Sequence, residues 1–434
     1  MSQAPTSQSI SVADVRARVT GTVIGPGDPE YDTARVTLVD DQLHPAVIVR
    51  AVGVDDVRQV VDLARELGLE LAVRSGGHSG AGHGSTEGGI LLDLAAMKAI
   101  EIDVDGLTVW AETGLTAAEL GAAVGEHGLV IGFGDTGTVG IGGITTGGGI
   151  GFLVRTFGMT IDNVLAADVV TADGRLVRAD AEHEPELFWA IRGGGGNFGV
   201  VTRFQFRLHA LPQIVGGMLF LPATADTVAG FIAAAEHAPE ELSTIANVMP
   251  LPPMPFIPAQ HHGKLAIFGL LTYAGDVEAG QRALAPFRAL AEPYADLTRP
   301  MPYSGMFPPA EGDYHPIATA RTLFVKRVDR EVAELIVDRV GEHARSSGAQ
   351  MAVAQIRVLG GAMARVPADA TAFAHRSSRI MMTIAALVGS KDELPAHEAW
   401  VKSVWRELDQ GDPGAYVNFV VDEGPERVRA AYPG

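Results

Sequence analysis

The residues of this chain best suited to hold and modify a ligand lie in three glycine clusters and one late tyrosine. The segment Val73-Arg74-Ser75-Gly76-Gly77-His78-Ser79 ends an apolar run in two glycines and a histidine. A Gly-Gly step reaches backbone angles closed to other residues, so successive N–H groups can converge on an anion and leave room for a large ligand, with His78 at its edge. The second cluster runs from Gly132 to Gly151 and the third is Arg192-Gly-Gly-Gly-Gly-Asn-Phe-Gly199. So much glycine in 132–151 predicts neither helix nor strand, and a backbone packed tightly against a ligand explains it better. Both clusters contain a GxGxxG match in the wrong context for a dinucleotide turn. Gly132 to Gly137 leads into more glycine and β-branched residues where a helix should start, and Gly194 to Gly199 runs from a helix into a strand. Gly263-Lys264 is followed by Leu265, so no Walker A loop exists, and no His-Glu-x-x-His occurs. Ser79 beside His78 or His83 leaves a serine hydrolase open, although nothing supplies a nucleophile elbow. Tyr416-Val417-Asn418-Phe419 reads as a strand-like segment; a phenol with a pKa of about 10 needs a neighbouring cation to act as a base near neutrality.

Composition narrows the partners. The 434 residues are 47% hydrophobic and 20% charged, which describes a folded globule of two or three domains. A formal net charge of −19 argues against nucleic acid or an anionic membrane surface, since either would repel the chain. A small-molecule substrate fits better. There are no cysteines, which excludes disulfides, thiolate catalysis and cysteine metal sites. Met1 to Ile10 is Ser/Gln/Pro-rich without a basic region before an apolar core, and no apolar run reaches the ~20 residues that span a bilayer. A cytoplasmic protein is expected.

The elements that would position these residues follow from periodicity. Val54, Val57, Val60, Val61, Ala64 and Leu67 recur at helical spacing before a Gly68 stop, and Leu71 to Val73 is a short strand entering the His78 loop. Further strands are expected at Gly89 to Leu94, Ala99 to Ile102 and Leu107 to Ala111. Thr116 and Glu119 read as a capping box for a helix reaching Gly128. Ala167 to Arg178 reads as a hairpin about Ala172-Asp173-Gly174, and Pro185 to Ile191 as a helix. Thr202, Phe204, Phe206 and Leu208 alternate with polar residues in a half-buried strand. The pattern is α+β with no clean βαβ repeat. Beyond Ala210-Leu211-Pro212 come proline-rich loops, strands at Leu265 to Tyr273 and Ile380 to Val388, and a helix at Asp329 to Ala344. Domains of 1–208, with 406–434 returning to the first, and 209–405 are expected.

Arg74 to Ser79, with the other clusters in order, resembles the FAD-linked oxidases of the vanillyl-alcohol oxidase superfamily, berberine-bridge-enzyme-like branch. The similarity runs from about Val36 to Leu208 and resumes at Gly360 to Val366, Ala372 to Arg376 and Tyr416 to Phe419. It implies a PCMH-type FAD-binding domain of two α+β subdomains and a substrate domain built on an antiparallel β-sheet flanked by helices. It also implies FAD held by Arg74, Ser75, Gly76, Gly77, His78, Ser79, Gly140, Gly142, Gly143, Gly199, Val200 and Val201, with His78 bonded to the flavin 8α-methyl. Many relatives add a cysteinyl bond to flavin C6 where this chain has Thr136, so a single bond is implied here; His83 is the rival attachment point. Val139 occupies the position at which valine is associated with oxygen access, which implies an oxidase. Tyr416 and Asn418 match the Tyr-x-Asn segment under the flavin, with Tyr416 as base for hydride loss from an alcohol, sugar-like or secondary-metabolite substrate. Arg357, Arg376, His375, Tyr303 and Tyr314 are candidates to face that substrate. The family continues past this segment with a final helix, which the chain's end at Tyr432-Pro433-Gly434 leads one to expect missing. A flavin dehydrogenase with a non-oxygen acceptor and a non-catalytic flavin-binding protein remain alternatives.

Overall fold

A computed structural model describes residues 10–38, 42–307, 315–421 and 423–433. Its first layer is a four-stranded sheet in the order Thr22–Ile24, Val47–Arg50, Ile90–Asp93, Leu71–Arg74, the last three parallel. Helix Val54–Leu67 crosses between two of these strands, making one βαβ unit that is not repeated along the sheet. Its apolar stripe, Val57, Val60, Val61 and Ala64, is buried in one cluster with Val47, Val49, Ile90 and Leu92. Gly68 ends it with φ +63°, a left-handed angle that glycine reaches without strain. Because the strands are parallel, their carboxyl ends lie together, and Leu71–Arg74 there releases the chain into the His78 loop.

The second sheet is antiparallel, in the order Ile100–Asp103, Thr108–Glu112, Val200–Arg207, Val164–Val170, Leu176–Asp180. Its last two strands are the expected hairpin. Helix Ala117–Gly125 carries the reciprocal Thr116/Glu119 capping box, and Pro185–Ala190 is the short helix with proline in its first turn.

The third sheet has eight antiparallel strands, with Leu242–Pro250, Met351–Val358 and Ile380–Val388 side by side at its centre. Helices Ala225–His237, Val277–Arg288, Arg330–Ser346 and Leu394–Leu408 cover one face and share its largest apolar cluster. The other face packs on the glycine-rich body, through Ile245 with Phe152 and Leu153 on one side and Phe324 and Met381 with Ile150 and Met159 on the other.

Three local expectations are corrected. Within 132–151 the chain does form a helix, Ile141–Gly147, because Gly140 leads in with an extended backbone and the flanking loops hold it. Tyr416 is extended but Val417–Phe419 is a 3-10 turn, not a strand, since Asn418 turns inward to bond Ile144. A helix, Pro425–Ala431, does follow it. Pro425 in its first turn, where no N–H partner is needed, allows a short helix that spacing alone concealed.

His209 joins the two sheets' connection to the core. Its ring stacks on Phe157 at 4.0 Å and bonds Asn163 Oδ1 at 2.7 Å. Burial, and then nearby Arg207, push its pKa down from 6.5 to about 4. The unfolded chain takes up that proton first, so this stability is complete above pH 6.5 and is lost as pH falls toward 4. His209→Gln, which keeps a donor for Asn163, is expected to flatten the fall in Tm across that window; an unchanged slope refutes the assignment.

Candidate active site

Two of the glycine clusters meet main chain to main chain. A Cβ on Gly76 would stand 2.2 Å from Gly140 N, and one on Gly140 would stand 2.1 Å from both Gly76 N and Ser75 Oγ. Ser75 Oγ donates to Thr113 O at 2.5 Å and accepts from Gly142 N at 3.2 Å. Thr113, fully buried, donates in turn to Val201 O at 2.7 Å. The third cluster joins at the far end of the short helix, where Gly193 N and Gly195 N both donate to Thr146 O. These glycines are thus needed for loop-on-loop packing as well as for any ligand, which corrects the expectation that ligand approach alone explains them. Gly143 and Gly196, with no protein atom within 4 Å of a would-be Cβ, leave open space, whereas Gly77, at φ +70°, would set a Cβ against Arg74 at 3.4 Å.

His78 stands at this junction, half-buried. Its Nε2 lies 3.0 Å from Thr138 Oγ1 on the opposing loop, and among the described residues Nδ1 makes no hydrogen bond. Burial pulls its pKa down, and the Thr138 contact offsets this only in part, so the ring is held neutral and nucleophilic. Thr136 is exposed beside it, and Val139 packs partly into the neighbouring apolar cluster. His83 is exposed, and its backbone N–H donates to Ser79 Oγ at 3.4 Å. With His78 bonded to Thr138, neither His78 nor His83 makes a ring bond to Ser79 Oγ among the described residues, and the hydrolase reading lacks its geometry.

Several expected ligand contacts are structural. Arg74 is buried, with its guanidinium on Asp93 Oδ2 at 3.0 Å, Ala34 O at 2.7 Å and Val36 O at 3.3 Å, where it clamps the strand ends. Val200 and Val201 bury their side chains in two separate cores, so only their main chain borders the site. Gly199 adopts φ +141° under Val170 O. Arg376 forms a double bond pair to Asp162, both at 2.8 Å. His375 bonds Ala431 O in the last helix. Tyr314 lies outside the described residues.

Tyr416 also has a structural part beside its expected one. It is 1% exposed, and its hydroxyl oxygen accepts from Gly149 N at 2.9 Å, Asn418 Nδ2 at 3.0 Å and Ile150 N at 3.2 Å. Burial raises its pKa, opposed by these bonds and by Arg357. The three donors aimed at this oxygen also favour the ionised phenol, and together they pin the end of the glycine run. Asn418 does the same through Ile144 O at 3.1 Å. Tyr416→Phe is expected to cost about 1–3 kcal/mol of stability by leaving buried donors unpaired. A fall in kcat of about 10²–10⁴ would mark it as the base as well, whereas turnover within tenfold of wild type would leave it the structural part alone.

The residues that do bring unspent polar atoms to the opposite side are Arg357 and Tyr303. Arg357 pairs with Asp135 at 2.5 Å, a contact between the substrate-side sheet and the second glycine cluster. Sequence reasoning passed over Asp135, Thr113 and Thr138 because each is one ordinary polar residue, and Arg357, Ser75 and His78, their respective partners here, lie 38 or more positions away.

Comparison with known proteins gives the same picture. A family model described as an FAD binding domain matches residues 45–180. An FAD-linked oxidoreductase of Dictyostelium discoideum is 29% identical over 430 residues, which is 95% of this chain and 89% of that protein. The (R)-6-hydroxynicotine oxidase of Paenarthrobacter nicotinovorans is 32% identical over 282 residues, 64% of this chain and 60% of that one. Among solved structures, a berberine-bridge-like enzyme of Physcomitrella patens superposes with a TM-score of 0.83 at 23% identity, covering 98% of this chain and 93% of the other, a likeness of fold.

Proposed function

The chain belongs to the FAD-linked oxidoreductases of the vanillyl-alcohol oxidase superfamily, berberine-bridge-enzyme-like branch, and from that premise we propose that it is an oxidase carrying FAD on a single covalent bond from His78. The supporting observation is the junction of the loops 74–79 and 136–143. There a neutral imidazole is aimed by Thr138 through Nε2 while Nδ1 stays free to form the bond. The residues fit the cofactor: Gly143 leaves main chain open on the same junction, Gly77 takes a left-handed φ of +70° there, and a neutral ring is the nucleophilic form. Ser75, Gly76, Gly140 and Gly142 hold the two loops together, while Ser79 and Gly199 border them. The absence of any cysteine excludes a second, thioether bond.

When bound, FAD supplies the acceptor for a hydride from a carbon bearing a hydroxyl or amine, and oxygen then takes the electrons. The protein's part is to fix the substrate and exclude water, using the face of the eight-stranded sheet that Arg357 occupies. Residues 1–208 with 406–434 are assigned to the cofactor and 209–405 to an alcohol, sugar-like or secondary-metabolite substrate. Val139, a small side chain beside the junction, favours access of oxygen.

Acid precipitation of the purified protein tests the tether, because a covalent flavin stays in the pellet. Stopped-flow mixing of the reduced protein with oxygen tests the acceptor; very slow reoxidation would assign a different acceptor. A colourless protein that takes up no FAD would end the reading altogether.

A further inference from the structure

The sheet face turned toward the glycine loops carries Ser243 and Thr272 on one side and a further polar strip beside its apolar row. Register places Ile245, Arg357, Met381 and Phe324 across it in one row and Asn247, Gln355, Thr383 and Thr322 in the next. Arg357, 4% exposed, spends Nη2 on Asp135 Oδ2 at 2.5 Å and on Gln355 Oε1 at 2.6 Å, and Nε on Gln355 Oε1 at 3.0 Å. Gln355 is held by Asn247 Oδ1 at 2.9 Å, so the whole fork is fixed. Its guanidinium carbon stands 5.2 Å from the centre of the Phe419 ring.

Two polar atoms in this setting have no partner among the described residues: Arg357 Nη1 and the hydroxyl of Tyr303, a residue 3% exposed. A buried donor left unpaired costs about 1–3 kcal/mol, more when charged, so two beside one carboxylate point to a ligand that satisfies them. Burial, and then the Asp135 charge, push the Tyr303 phenol far up, so it stays protonated as a donor.

Charge decides what they bind. Arg357 and Asp135 already sum to zero, so a carboxylate arriving here would bring an unbalanced negative charge into a poorly solvated site. An uncharged oxygen satisfies both donors without that cost. We propose that Arg357 and Tyr303, organised by Asp135, anchor the substrate through a neutral oxygen, a hydroxyl or a carbonyl, carried on an apolar body lying among Ile245, Met381 and Phe419. Carboxylates are thereby disfavoured. This deepens the oxidoreductase reading above and rests on it.

The test uses flavin absorbance of the loaded protein titrated with benzamide and benzoate, which share a ring and differ in the charge of the polar group. Wild type is expected to give a saturable change with benzamide and to bind benzoate at least about tenfold more weakly, as an unbalanced charge demands. Asp135→Asn keeps the shape but releases the Arg357 charge, and the order of the two probes should reverse. Arg357→Gln should weaken benzamide about tenfold or more, the usual worth of a hydrogen bond from a charged donor. Tyr303→Phe, which removes one oxygen only, should weaken it less and keeps the test alive where Arg357→Gln fails to load flavin. Equal binding of the two probes, benzoate the tighter in wild type, an unreversed order in Asp135→Asn, or no saturable response to either probe overturns the proposal. Flavin content is measured first, so a protein that never holds flavin refutes the earlier reading, and a loaded protein indifferent to charge refutes only this one.

Discussion

His78→Ala is expected to move all of the flavin from the acid-precipitated pellet into the supernatant. No other group can replace the bond: the chain has no cysteine, and His83 is exposed outside the loop junction. Stability should barely change, because the one described side-chain bond that the ring makes is to Thr138. Thr138→Val should keep some attachment but slow it, since the ring loses the contact that fixes its rotation. Peptide mapping of wild type should place the adduct on the fragment with His78. Flavin retained in the pellet of His78→Ala would refute the tether outright.

Gly140→Ala carries the second large effect. Its new methyl group would lie 2.1 Å from Gly76 N and Ser75 Oγ, and neither neighbour is a flexible tip that can swing aside. The loops must part, at a cost at the upper end of the about 1–3 kcal/mol typical of overpacking or beyond it. Ser75 would then lose its hold on Thr113 and Gly142. Thermal unfolding should show a large drop in Tm and flavin content should collapse. Gly143→Ala is the control: its methyl group meets no protein atom within 4 Å. Only the small helix-propensity change, favourable to alanine, should register in Tm, whereas flavin incorporation should fall if this is the cofactor side. An unaltered flavin content in Gly143→Ala, or an unaltered Tm in Gly140→Ala, would show that the junction is misassigned.

Much of this arrangement was legible beforehand where the cause is local. The helix at Val54–Leu67 with its Gly68 stop, the Thr116/Glu119 capping box and the strand Ile380–Val388 each follow from residues within one element. The helix at Ile141–Gly147 was not legible, because glycine's intrinsic penalty argues against it; contacts from Ser75 to Gly142 and from Asn418 to Ile144, on other segments, offset that penalty. The structural part of Tyr416 was hidden for a related reason: a tyrosine near the chain's end is readable as a type, but its burial depends on Gly149 and Ile150, some 266 positions away.

By itself the sequence determined the α+β class, the order of the glycine clusters, that no cysteine can tether a cofactor, and a resemblance to FAD-linked oxidoreductases. These are properties of residue type, spacing and composition, which survive without coordinates. Only the tertiary structure decided that Gly76 and Gly140 face each other, that Arg74 bonds Asp93 and Tyr416 accepts from Gly149, and that Asp135 meets Arg357 across 222 positions. Such pairings arise when separate sheets pack, and one ordinary carboxylate carries no local mark of the arginine it will meet.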